Sequence, residues 1–139
     1  MAKKKIEPLT CPCGQTDGQS KQVLLYEHCC APYLNGDKQS ETAELLMRSR
    51  YSAYARNNEQ YILQTWHPDT RPDEFVGDGQ IKWLGLTVLS HQQQDQEHAA
   101  VEFVARYKSN GRAFKLRELS RFVKINQRWF YLDGDINEA

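Results

Sequence analysis

Residues 82–133, KWLGLTVLSHQQQDQEHAAVEFVARYKSNGRAFKLRELSRFVKINQRWFYLD, decide the fold. Apolar and polar residues alternate through them with the period of two that marks a half-buried β-strand. Four runs separate: Lys82–His91, Ala99–Lys108, Phe114–Ile125 and Arg128–Asp133. In the second, Val101, Phe103, Ala105 and Tyr107 oppose Glu102, Val104 and Arg106. In the first, strict alternation sets Trp83, Thr87 and Leu89 against Leu84, Leu86 and Val88. Ser109-Asn110-Gly111 and Asn126-Gln127 fall between runs at hairpin spacing, and Gln92-Gln93-Gln94 reads as a turn. The four runs predict an antiparallel meander.

Upstream, the period changes to that of a helix. Thr42 is placed to cap it, with Glu44 in its first turn, where a negative charge suits the helix dipole. Ala43, Leu46, Met47, Arg50, Tyr51, Tyr54 and Ala55 then recur at helical spacing. Asn57-Asn58 breaks this helix, and a shorter one takes Glu59 to Trp66, stopped by Pro68 because a residue before proline disfavours helical angles. His67 to Gly79 is a loop by composition. Helices followed by a meander predict an α+β domain with the helices packed on one sheet face. The division expected is a loop-rich segment over 1–37 and an α+β domain over 38–139.

At 139 residues, 40% hydrophobic and 11% aromatic, the chain is long enough to bury a core without disulfides. Lys plus Arg and Asp plus Glu both number 18, which excludes the broad basic field that non-specific duplex binding needs. No apolar run approaches the roughly 20 residues that span a bilayer. Met1 to Pro8 carries charge with no apolar stretch behind it, unlike a secretory signal. Lys3, Lys4 and Lys5 form either a contact patch for an acidic partner or a solvated terminus. The expectation is a cytoplasmic protein, and in a reducing compartment clustered cysteines are metal ligands more often than disulfides.

The cysteines are Cys11 and Cys13 in CPCG, then Cys29-Cys30. Four thiols in two close pairs have the arithmetic of a four-coordinate site, and zinc takes a tetrahedron of Cys and His ligands; iron also suits thiolates. Pro12 stiffens the bite and Gly14 lets the chain turn away. Such a site stabilises a segment with no core of its own, by an apparent binding energy on the order of 10 kcal/mol. His28, beside the second pair, is a substitute ligand to test. Four protein ligands leave no open position, so the site is structural rather than catalytic. The competing readings are separate buried thiols, oxidised pairs, or redox-sensing thiols, the last requiring an exposed thiolate free of metal.

CPCG followed by CC resembles the SEC-C motif, a small metal-binding segment also found at the tail of the SecA translocation ATPase. LMRSRYSAY (Leu46 to Tyr54), TWHPDTRP (Thr65 to Pro72), WLGL (Trp83 to Leu86), VEFVARY (Val101 to Tyr107), ELSRF (Glu118 to Phe122) and RWFYLDG (Arg128 to Gly134) resemble the YchJ-like family. The resemblance implies an NTF2-like main domain, a curved antiparallel sheet wrapped around helices into a cone. It implies Cys11, Cys13 and Cys29 as ligands, with Cys30 in the place that SecA fills with His. It also implies a protein or ribosomal partner for the motif, such as the chaperone SecB. Two departures stand out. The stretch from Gln15 to His28 is longer than in the usual motif and has to loop out, and the second motif copy that some members carry after the main domain is not found before Ala139.

For catalysis, the candidates are Trp66, His67, Asp69 and Arg71 in the central loop. His67 and Asp69 have the chemistry of an acid–base pair and Arg71 that of an anion clamp. The bland alternative is a helix stop, an Asx turn and a surface ion pair. Arg48 and Arg50 lie in an otherwise core-forming helix and need partners, for which Glu102, Glu118 and Asp133 are available, or else they line an anion pocket. Trp83, Trp129 and Tyr131 are expected to pack the sheet on the helices. No P-loop, G-x-G-x-x-G, H-E-x-x-H or G-x-S-x-G pattern occurs. The function expected is a non-enzymatic interaction module in which a zinc knuckle sits on an NTF2-like scaffold, with a homodimer through the sheet as a possible assembly. The alternative is a cone binding or transforming a small molecule around His67, Asp69 and Arg71.

Overall fold

A computed structural model describes residues 9–74 and 81–137. Lys3, Lys4 and Lys5 and the end of the central loop lie outside the described residues. The chain runs through a short turn of helix, α1 (Ala31–Leu34), then α2 (Ala43–Ala55), α3 (Glu59–Gln64) and four strands: β1 (Ile81–Gln93), β2 (His98–Ser109), β3 (Arg112–Ile125) and β4 (Arg128–Asn137).

The helix signals act as their chemistry requires. Thr42 Oγ1 accepts from Leu45 N and caps α2, and Asn58 Oδ1 accepts from Tyr61 N and caps α3. Asn57 between them takes a left-handed backbone, φ 58°, which breaks the helix as its side chain permits. α1 escapes sequence reading because one helical turn has no period to show.

The strands form one antiparallel sheet in the order β1-β2-β3-β4. Asn110 and Gly111 (φ 50° and 80°) and Asn126 and Gln127 (φ 50° and 66°) each turn a hairpin in the left-handed region. That is the two-residue turn whose twist matches the strands it joins. Two expectations for β1 need correction. Gln92 and Gln93 pair with Ala100 and Ala99 and belong to the strand, not to the turn. The register also slips between Trp83 and Gly85, so one extra residue inverts the alternation. Trp83, Leu86 and Val88 therefore face the core, whereas Leu84, Thr87 and Leu89 face out. On β2 the alternation runs as expected, with Val101, Phe103 and Ala105 buried.

α2 packs on the inner face of the sheet. Leu46, Met47, Tyr51, Leu86, Val101, Phe103, Phe122 and Trp129 form the core, each full burial of such a side chain contributing roughly 1.5–3 kcal/mol. Trp83 meets Tyr51 and Tyr54 edge-on, at 5.7 and 6.1 Å between ring centres. Trp129 donates its indole N–H to Glu41 O. The chain after α3 joins the edge of β4 at one residue: Tyr131 N donates to Thr65 O and His67 N to Tyr131 O, both at 2.8 Å.

Candidate metal centre

The chain before α1 is an arm folded back on itself. Bridges join Thr10 to Leu25 and Thr16 to Val23, and Asp17 closes the tip by accepting from Gln19 N and Ser20 N. Cys11 leaves this arm and the chain turns at once, with Gly14 N donating to Cys11 O and Gly14 at φ +74°. A side chain at that φ would be strained, which is why glycine follows the first pair. Cys29 ends a 3-10 turn over Tyr26–His28, and the Cys30 carbonyl accepts from Tyr33 N and Leu34 N at the start of α1.

These turns bring the four sulfurs to within 4.8 Å of one another, all four residues being buried. Cys13 Sγ and Cys29 Sγ stand 3.6 Å apart. Sulfurs bound at about 2.3 Å around a tetrahedral ion would be separated by about 3.8 Å, so the set fits such an ion. Hydrogen bonds from Cys13, Cys29 and Cys30 hold the Cys11 thiol far below the usual thiol range. Sharing with Cys11 and Cys13 pushes the thiols of Cys29 and Cys30 far up. Four thiolates this close cannot all form without a cation among them. His28 is 70% exposed, faces Glu27 at 3.5 Å, and is not among the four converging groups. Nor is any cysteine exposed, as redox sensing by a metal-free thiolate would need.

The knuckle is tied to α2. Cys11 Sγ lies 3.5 Å from Ser52 Oγ, Arg48 Nη1 donates to Cys13 O at 3.1 Å, and Gln15 N donates to Cys13 Sγ at 3.4 Å. Arg48 is held in turn by Glu44, Nε to Oε2 3.0 Å, with His91 Nδ1 at 3.9 Å from the other carboxylate oxygen. Glu44, Arg48 and Ser52 recur every four residues, one stripe of α2 facing the cysteines. The cysteines belong to the same packed cluster as Leu46, Met47 and Leu86.

The six other candidates scatter. Arg48 serves the knuckle. Arg50 is buried inside the domain, donating from Nη1 to Ile62 O and Thr65 Oγ1 at 2.7 Å, with Trp66 and Tyr131 ring centres 5.1 and 4.7 Å from its guanidinium carbon. Of the strand carboxylates expected as partners, Glu102 pairs with Arg117 and Asp133 with Arg121, while Glu118, which meets the Ser120 hydroxyl, shares a cavity with Arg50 and its charge favours the guanidinium there. The hydrogen bonds of the two arginines go to backbone carbonyls, the Thr65 hydroxyl and, for Arg48, Glu44 on its own helix. His67 Nδ1 accepts from Asp69 N at 3.0 Å and stands 3.8 Å from Asp69 Oδ2, with Asp69 otherwise in solvent. Arg71 turns back toward Leu63 O.

A cavity of about 200 Å³ lies between α2 and the sheet, lined by Arg50, Tyr54, Trp83, Glu118, Ser120 and Tyr131 among others. It includes Arg50 of the six, but not His67, Asp69 or Arg71. Glu118 reaches into it across Gly134, where a Cβ would stand 2.7 Å from the carboxylate.

A four-stranded meander with helices on one face and a closed cysteine cluster beside it defines an NTF2-like α+β domain carrying a SEC-C-type knuckle. A family model described as YchJ, middle NTF2-like domain, matches residues 42–134. A UPF0225 protein of Bordetella parapertussis is 50% identical over 98% of this chain and 99% of its own. One from Cupriavidus metallidurans is 48% identical over 94% and 92%. The solution structure of a SEC-C motif containing protein from Rhodopseudomonas palustris has a TM-score of 0.78 and 32% identity, covering 91% of this chain and 98% of that one. A crystal structure of a SEC-C motif containing protein from Psychrobacter arcticus has a TM-score of 0.77 and 34% identity, covering 94% and 84%. The chain belongs to the YchJ-like family, as its residue blocks imply.

Proposed function

We propose that this chain is a non-enzymatic interaction module of the cytoplasm, in which Cys11, Cys13, Cys29 and Cys30 hold one structural zinc ion on an NTF2-like scaffold. The observation that carries it is the convergence of four buried sulfurs within 4.8 Å. Zinc is chosen over iron because a closed tetrathiolate site with no redox duty is its commonest setting. The knuckle occupies residues 1–37 and the scaffold 38–139. The metal would lock the arm, on which Leu9 (54% exposed) and Val23 (40% exposed) stand out, a surface suited to a protein or ribosomal partner. Leu84, Leu89 and Leu119, exposed on the strands, support a homodimer through the sheet.

The test is elemental analysis of the untagged protein beside Cys13→Ser. About one zinc per chain, lost in the variant, supports the reading. Four free thiols and no metal overturn it, and one iron per chain replaces zinc with iron. Ribosome co-sedimentation of the protein and of a Leu9→Ser, Val23→Ser variant then tests the arm.

The internal cavity supports a second reading, a cone that takes a small molecule. The residues for it are Arg50, Tyr54, Glu118 and Ser120, and His67, Asp69 and Arg71 do not line the cavity.

A further inference from the structure

A second hollow lies outside the cone, lined by none of the four cysteines. It is a half-open cleft of about 600 Å³ between the α1–α2 linker, α3 and the start of β4. That volume is in the range of small-molecule sites. Its walls are fixed. Trp129 Nε1 holds the linker at Glu41 O, Asp37 N and Lys38 N both donate to Pro32 O, and Tyr61 OH meets Ser49 Oγ at 2.7 Å under the floor.

Its charge is of one sign. Lys38, Arg71 and Arg128 line it and no carboxylate does; Asp37 and Glu41 of the same linker are not among the lining residues. The chain as a whole is neutral, so this bias comes from placement. Among the described residues the lysine and arginine ion pairs go to Arg48, Arg117 and Arg121, leaving these three cations without a carboxylate. Arg71 is aimed by one contact, Nη1 to Leu63 O at 3.4 Å, which occupies one of five guanidinium donors. Gln60 and Gln64, one helical turn apart on α3, face the cleft.

Three cations suit a phosphate, which carries close to two negative charges at neutral pH, better than a single carboxylate. The amides suit a polar body attached to it. We propose that this cleft binds a small phosphate-bearing metabolite of nucleoside-monophosphate size, its phosphate on the Lys38, Arg71 and Arg128 side chains and its body against Gln60 and Gln64. The cleft shares no lining residue with the internal cavity.

The test is calorimetric titration of the full, metal-loaded chain with AMP, with glucose 6-phosphate and with inorganic phosphate. The same titrations are run on Arg71→Ala, Arg128→Ala double-variant protein and on Arg112→Ala as a control. Saturable binding of one of the two phosphate esters is expected, tighter than that of inorganic phosphate. It should weaken by about tenfold or more in the double variant and not in the control. Both arginines are exposed, so melting temperatures should match, and the comparison reads binding rather than folding. Binding of neither ester below about 10 mM, or equal binding by the double variant, overturns the proposal. So does inorganic phosphate binding as tightly as the esters, or a short RNA displacing them at far lower concentration.

Discussion

Ser52 Oγ lies 3.5 Å from Cys11 Sγ, across 41 positions of sequence. The contact joins the last turn of α2, on the scaffold, to the first thiol of the knuckle. Outer partners of metal ligands orient them and tune the ion, and losing one typically costs about 10- to 100-fold in affinity. Ser52→Ala is therefore expected to bind zinc about tenfold more weakly, read by competition with a chromophoric chelator. An unchanged affinity would mean that the hydroxyl merely fills space.

The same contact makes α2 the element that feels the metal. Stripping the ion should expose the amides of Met47 to Ala53 to hydrogen exchange well before those of Val101 to Ala105. The latter lie in β2, paired along its whole length with β3. Exchange that rises only in residues 9–30, with α2 unaffected, would show that the knuckle is an appendage with no energetic link to the scaffold.

Arg50 ties α2 to the end of α3 through Ile62 O and Thr65 Oγ1, beside the Trp66 and Tyr131 rings, which meet each other edge-on. Charged hydrogen bonds contribute about 1.5–3 kcal/mol each and a desolvated cation–ring contact about 2 kcal/mol. Arg50→Ala should lose about 3 kcal/mol of stability in denaturant unfolding, and Arg50→Lys should recover little of it, since an ammonium lacks the planar fork. Full recovery by lysine would reduce the role of Arg50 to charge alone.

Burial pushes the Tyr51 hydroxyl up to about 12 and lifts those of Tyr54, Tyr61 and Tyr131 above the ordinary value. The unfolded chain would ionise them near pH 10, so the fold favours the neutral form. That stabilisation is fully present below about pH 10 and lost as pH rises toward 12. Tyrosinate absorbance should thus grow in step with the loss of near-ultraviolet circular dichroism. Complete ionisation with the dichroism intact would contradict the burial of these four rings.

α2 with its Thr42 cap, α3 and the order of strands were legible because each has a local signal: Thr42, the Asn57-Asn58 break, the Asn-Gly turn, the alternation of β2. The faces of β1 were not, since one extra residue at Leu84–Gly85 inverts every side chain before it, and only the glycine inside a strand hinted at it. The four thiols were legible from spacing alone. Their outer partners were not, although Glu44, Arg48 and Ser52 make a regular stripe, because the surface that the stripe faces comes from a distant part of the chain. His67 and Asp69 meet in one exposed turn, but with Arg71 they do not line a common pocket. A turn held by Arg71 N on His67 O sends Asp69 to solvent and Arg71 to another cleft.

The most direct measurement is X-ray absorption at the zinc edge of the protein as purified. Four sulfur neighbours at about 2.3 Å are predicted, reduced in number in Cys13→Ser. A shell containing nitrogen or oxygen at about 2.0 Å in the unaltered protein would contradict the Cys11, Cys13, Cys29 and Cys30 site.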